Sequence, residues 1–160
     1  MKNILKTIKI LNIPSIVIYP CSDPGYLGII KSIKEFAKAE IFNIFKSVEY
    51  MDYLCLLKNS SFLIGNSSSG IIEAPYFKTP FLNVGLRQSN RDKCSNVVDV
   101  EANTKKILKS VKFIRNNKLF KKKLKSIKKP FGDGNSAFKI YKKIKKTKFD
   151  QIFFRKGLTF

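Results

Sequence analysis

The run SFLIGNSSSGIIEAP, residues 61–75, decides how this chain is read. Phe62 to Ile64 is a short apolar segment that predicts a strand. Gly65 to Gly70 is a small-residue turn, and Ile71 to Phe77 predicts a helix that Pro75 should distort or shorten. A strand feeding such a turn and a helix start offers unpaired backbone N–H groups, and the positive end of a helix dipole, to an anion. Ser67, Ser68 and Ser69 add hydroxyl donors, and Glu73 follows closely enough to accept hydrogen bonds from sugar hydroxyls. The combination points to a nucleotide diphosphate rather than a bare phosphate. A plainer reading competes with it, because serine at a helix start is most often a cap. The reciprocal capping box, however, needs Glu three residues after the capping Ser or Thr, and the residue three before Glu73 is Gly70.

The same alternation continues on both sides. Residues 3–12 read as a helix end or a short amphipathic helix, stopped by Pro14, and SIVIY (15–19) as a buried, β-branched parallel strand. The turn 20–25 follows. Residues 26–39 then place Leu27, Ile30, Ile33, Phe36 and Ala37 at helical spacing. Further strands are predicted at 41–45, 81–84 and 97–100, with a helix over 49–59 carrying Met51, Leu54, Cys55 and Leu57 on its apolar positions. From Thr104 the chain is helical and Lys-rich. It breaks at Lys129–Ser136, resumes over 137–146, and ends in QIFFRKGLTF, which carries no readable pattern. Strands alternating with helices imply an α/β fold with a parallel sheet and right-handed crossovers. Ligands in such sheets sit at the carboxyl ends of the strands, where the turns 20–25, 65–70 and 85–91 all fall.

Composition narrows the chemistry. A chain of 160 residues that is 44% hydrophobic can bury a core. No apolar run is long enough to span a bilayer, Lys6 and Lys9 interrupt the N-terminal apolar stretch, and no cleavage-site pattern follows, so a soluble cytoplasmic protein is expected. Cys21, Cys55 and Cys94 have neither metal-ligand spacing nor an even count, which fits a reducing compartment with no metal. The chain has no histidine, which removes His-based triads, His-ligated zinc and the commonest general base. The net charge of +21 raises nucleic acid as a partner. Yet 28 of the 32 basic residues are lysines, the arginines being Arg87, Arg91, Arg115 and Arg155. A nucleic-acid surface draws more heavily on the planar arginine fork.

The third turn is GLRQSNR, residues 85–91, with Arg87 just past a predicted strand end. A guanidinium there can neutralise diphosphate charge through paired hydrogen bonds, although a loop arginine is more often merely solvated. GNSSSGIIEAP, FKTPFLNVGLRQSNR and KPFGDGNSAFKI together resemble the C-terminal half of UDP-N-acetylglucosamine 2-epimerases over roughly residues 3–146. The resemblance is closest to the hydrolysing type, which yields N-acetylmannosamine and UDP for sialic-acid-like sugars. Asn66-Ser67-Ser68-Ser69 with the single Glu73 differs from the Asp-Ser-Gly-Gly turn and paired glutamates usual in the non-hydrolysing type.

The resemblance implies a Rossmann-like, three-layer parallel-sheet domain, the C-terminal half of a GT-B fold, over residues 1–148, with 149–160 as a tail. It implies that Ser67, Ser68, Ser69 and Gly70 meet the diphosphate of UDP or a UDP-N-acetylhexosamine. Glu73 would hold the ribose, Arg87 the phosphates, and the Val48 backbone the uracil. Cys21 stands where the family often has Asn, a weaker hydrogen-bonding group that puts affinity and ligand orientation in question. Members are more than twice this length, and their other half carries the acidic groups and a histidine proposed for catalysis. The expectation is therefore a binding half with no catalytic residue of its own and no cofactor; a split enzyme with a separately encoded N-terminal half as partner, a gene remnant and a misassigned start all fit it. The exposed cleft face would favour self-association. A basic nucleic-acid-binding module, or a structural subunit of a second epimerase chain, are the alternatives.

Overall fold

Helix α1, Lys2–Leu11, forms because Ile4, Leu5, Thr7 and Ile8 share one face, which is buried, while Lys2, Lys6 and Lys9 face solvent. It ends on Asn12 in the left-handed region (φ 49°, ψ 49°), a conformation Asn tolerates well, and Pro14 follows. The computed structural model describes residues 1–128, 131–150 and 154, in two units divided at Pro130 and Phe131. Lys129 and Pro130 of the expected break, and most of the C-terminal tail, lie outside the described residues.

In the first unit, β1 (Ser15–Ile18) is followed by α2 (Tyr26–Phe36) and β2 (Phe42–Phe45), then α3 (Tyr50–Asn59) and β3 (Leu63–Gly65). A single turn of helix, α4 (Ser69–Ile72), and a 3-10 turn (Ala74–Phe77) lead to β4 (Phe81–Val84) and β5 (Val97–Val100). Pro75 sits in the first turn of the 3-10 segment, where its missing N–H costs nothing, so the helix expected over 71–77 becomes two short pieces. Helices α5 (Thr104–Asn116) and α6 (Lys118–Lys125) close the unit. Asn103 caps α5 by accepting from the N–H groups of Lys105 and Lys106, and Asn117 caps α6 at the N–H of Phe120.

All strand pairing among the described residues is parallel, in two sheets: β1–β2, with Ser15 opposite Phe42, and β3–β4–β5, with Leu63 opposite Phe81 and Phe81 opposite Val97. One core joins them by side chains rather than by a shared ladder. Val17 and Phe42 from the first sheet, and Leu82 and Val84 from the second, pack with Ile4, Leu5 and Ile8 of α1, Ile33 of α2, and Ile107, Val111 and Ile114 of α5. Helix α1 contacts both α2 and α5.

Strand β1 is less buried than its composition suggests. Val17 faces the α1/α2 core at 7% exposure, whereas Ile16 is 46% exposed, because helices cover one face of this pair and leave the other open. The same openness exposes Met51 and Cys55 of α3. Helix α2 stops at Phe36, short of residue 39, and Leu27 faces solvent. In the second unit, α7 (Ser136–Lys146) is amphipathic, with Phe138, Ile140, Tyr141 and Ile144 all exposed.

Candidate functional site

The turns after β1, β3 and β4 meet on one side chain. Gly85, at φ +91°, lets the chain swing away after β4 in a conformation that side-chain-bearing residues rarely adopt. Arg87 follows. Its Nη2 donates to Asp23 Oδ2 at 2.7 Å, and its Nη1 donates to the Asn66 carbonyl at 3.3 Å. The neighbouring Gln88, 2% exposed, donates through Nε2 to the same carbonyl at 2.9 Å. The Arg87–Asp23 pair is about half exposed and so adds little stability. Its effect is positional. The Asn66 carbonyl is held toward the 85–91 loop, and because C=O and N–H of a trans peptide point in opposite directions, the Ser67 N–H is turned the other way. Neither Ser67 nor Ser68 makes a hydrogen bond through its N–H within the described residues.

The three serines differ in what they do. The Ser67 hydroxyl accepts from the Ser69 N–H at 3.3 Å. Ser68 precedes α4 but makes no side-chain cap. The Ser69 hydroxyl is hydrogen-bonded to the Tyr53 hydroxyl of α3. Helix α4 is only four residues long, so the anion-holding capacity here rests on free N–H and O–H groups more than on an extended dipole. Glu73, at the end of α4, has one carboxylate oxygen, Oε2, enclosed and without a partner among the described residues. Burial pushes the Tyr53 phenol above its ordinary pKa. The bond to Ser69 pulls against that rise, and the Glu73 charge adds to it.

Beneath the turn the packing is tight. A Cβ at Gly70 would lie 2.3 Å from the Phe81 ring, so only glycine fits there. Asn96, fully buried, donates through Nδ2 to the carbonyls of Gly70 (3.1 Å) and Thr79 (3.2 Å). Thr79 in turn donates to the Leu57 carbonyl of α3 at 2.9 Å. On the flank, buried Asn83 donates to Asp99, which also pairs with Lys93 at 2.9 Å. Partial burial pushes the Asp99 carboxyl up, but the hydrogen bonds from Asn83 and Lys93 and the Lys93 charge outweigh it and hold the group below the usual carboxylate range.

Val48 is half-buried and lines an open cleft of about 480 Å³ between β1–β2 and α3, together with Ile16, Phe45, Ser47, Glu49, Asp52, Cys55 and Leu56. Tyr53 links the helix behind that cleft to Ser69. Cys21 is exposed and makes no disulfide. The structure thus joins Arg87 to the serine turn and places Ser69 beside Glu73. Among the described residues, no hydrogen bond or ion pair joins Cys21 or Val48 to either group. Sequence reasoning missed Tyr53, Gln88 and Asn96. Gln88 could have been suspected as the neighbour of Arg87, whereas Tyr53 and Asn96 had no local signal. Among the described residues, no cluster of three or more His, Cys, Asp or Glu could hold a metal ion, and no helix is long and apolar enough to cross a membrane.

Parallel strands with their terminal loops gathered on one edge define the Rossmann-like α/β class, in keeping with a GT-B-like fold. A crystal structure of Methanocaldococcus jannaschii UDP-GlcNAc 2-epimerase, in complex with UDP-GlcNAc and UDP, superposes with a TM-score of 0.69 at 21% identity, covering 90% of this chain and 39% of that one. Residues 1–145 match the family model for UDP-N-acetylglucosamine 2-epimerase, and the chain belongs to that family. Two relatives are the UDP-N-acetylglucosamine 2-epimerase of Neisseria meningitidis serogroup B, 36% identical over 96 residues, and the hydrolysing UDP-N,N'-diacetylbacillosamine 2-epimerase of Legionella pneumophila, 34% identical over 134. These matches take in 60% and 84% of this chain but only 25% and 34% of the relatives, so the chain spans about a quarter to a third of their length.

Proposed function

We propose that this chain is the UDP-binding half of a hydrolysing UDP-N-acetylglucosamine 2-epimerase, the enzyme class that converts UDP-GlcNAc and water to N-acetylmannosamine and UDP. The observation that carries the reading is the meeting of three strand-end turns on Arg87, beside a serine turn with two N–H groups unpaired among the described residues. In this reading Ser67, Ser68 and Ser69, on a turn buttressed by Gly70, hold the diphosphate with Arg87. Glu73 takes the ribose hydroxyls, the uracil lies by Val48 in the cleft, and Cys21 borders the ligand from the first turn. A diphosphate would draw Arg87 from Asp23 or share it, which is a modest exchange because that pair is exposed.

Turnover needs a base for the sugar C2 proton and an acid for the departing UDP oxygen. Of the carboxylates near these loops, Asp23 is engaged by Arg87 and Glu73 is committed to ribose. Chemistry therefore waits on a complementary N-terminal half. That half would also enclose the ligand, so binding by this chain alone is modest.

Calorimetry at low salt tests the binding claim. UDP should give measurable heat, with UMP and phosphate weaker. No heat with UDP alongside tight binding of an oligonucleotide would overturn it in favour of a nucleic-acid module. Mixing the chain with UDP-GlcNAc should release no UDP until an N-terminal half is supplied. Steady release by the chain alone would place the chemistry on Asp23 or on Asp92, which directly follows the 85–91 loop.

A further inference from the structure

We propose that Tyr53 is a positioning residue of the nucleotide site, acting through Ser69. By donating its hydroxyl hydrogen to Ser69 Oγ, it commits the Ser69 hydrogen to an anionic oxygen of the bound nucleotide. The inference rests on the UDP reading above and goes beyond it, since Tyr53 lies on α3 and belongs to none of the three turns.

Tyr53 and Ser69 share one hydrogen bond in which either oxygen could donate. A phenol is far more acidic than an aliphatic alcohol and is the stronger donor, while the serine oxygen is the better acceptor. The shared hydrogen is therefore Tyr53's, and the hydrogen on Ser69 is left over. No acceptor takes it within the described residues. Donors in a chain polarise one another, so a serine that is already accepting becomes a better donor onward.

Glu73 supplies the complement. Burial, with a smaller contribution from the Glu73 charge, disfavours ionisation of the phenol, so Tyr53 stays protonated and able to donate. The Glu73 carboxylate makes no side-chain hydrogen bond among the described residues, and because Oε2 is enclosed, Oε1 is the oxygen left to accept from a ligand. Together the pair offers one spare donor and one spare acceptor, four residues apart on a single helical turn. A ligand that presents an anionic oxygen and a hydroxyl on one small ring fits that demand, and a ribose 5′-phosphate has this pattern. Tyr53 thus ties recognition of the sugar-phosphate junction to the helix that walls the cleft.

A double-mutant cycle on the full chain, read by UDP titration calorimetry, tests this. Tyr53→Phe and Ser69→Ala should each weaken UDP binding about tenfold, the scale of one net hydrogen bond. The double variant should bind no more weakly than the worse single, because the hydroxyl of Tyr53 acts only through Ser69. A purely structural tyrosine would instead give losses that add. Thermal melts check that Tyr53→Phe, which keeps the ring, stays folded. If it does not, a silent Ser69→Ala still overturns the proposal. Losses that add, or an unchanged Tyr53→Phe, overturn it while leaving the UDP reading intact. Absence of UDP binding by the unmodified chain removes the UDP reading itself, and this proposal with it.

Discussion

The central strand of β3–β4–β5 and the pair β1–β2 share the same parallel geometry but are packed in opposite ways. All four residues of β4 are buried, Phe81, Leu82 and Asn83 completely, so both faces of that strand are covered. In β1–β2 only Val17 and Phe42 are buried, and Ile16, Ile44 and Phe45 stand open to solvent. The closed sheet launches the serine turn and the Arg87 loop, which in the proposed reading present donors to a diphosphate. The open pair lines the cleft that the same reading gives to the uracil. Rigidity and access are therefore divided between two halves of one core, and buried polar hooks, Asn96 above all, stiffen the closed half without needing an extended α4.

Truncating equivalent strand positions tests that division most directly. Leu82→Ala should cost about 3 kcal/mol, the usual penalty for a cavity at a fully buried leucine, whereas Ile16→Ala should cost less than about 1 kcal/mol. Urea denaturation measures both. Equal losses would mean that the open face of β1 is covered in solution, as self-association would cover it.

Gly70→Ala comes next. The added methyl meets the Phe81 ring at 2.3 Å, and both residues are buried, so a loss of about 2–3 kcal/mol is expected. Phe81→Leu in the same chain should recover part of it, giving a non-additive pair. Asn96→Leu should cost about 2 kcal/mol, because the carbonyls of Gly70 and Thr79 both lose their buried donor. If UDP affinity survives Asn96→Leu in protein that remains folded, the polar hook supports the sheet and not the turn.

The alternation of strands and helices was legible in the sequence because each element carries its period locally: Ile4, Leu5 and Ile8 on α1, and the β-branched run of β1. The serine turn and the Arg87 loop were legible for the same reason, since glycine and serine mark turns wherever they fall. Burial of β1 was not, because an apolar strand looks the same whether one face or both are covered, and that depends on where α3 comes to rest. Tyr53 and Asn96 were also invisible. Their partners, Ser69 for one and Gly70 and Thr79 for the other, lie 16, 26 and 17 residues away, and no local pattern reports a contact across that distance.

The smallest effect concerns the flank of the closed sheet. Asp99 has a pKa below its ordinary value in the folded chain, so it is a carboxylate whose partners favour the charged form. Its stabilisation is present above the ordinary carboxylate value, near about pH 4, and is lost as pH falls through the lower folded value. Asp99→Asn keeps an oxygen able to accept from Asn83 and removes only the charge that faces Lys93. The Asp99 side chain is 54% exposed, so solvent screening reduces the expected loss at pH 7 to a few tenths of a kcal/mol. Urea midpoints at pH 7 and pH 3 should show the variant slightly weaker at the first and converging on the parent at the second. A gap that persists undiminished at pH 3 would mean that the substitution disturbs the buried Asn83 rather than the ion pair, and the closed sheet would then be held at its edge by hydrogen-bond geometry instead of by charge.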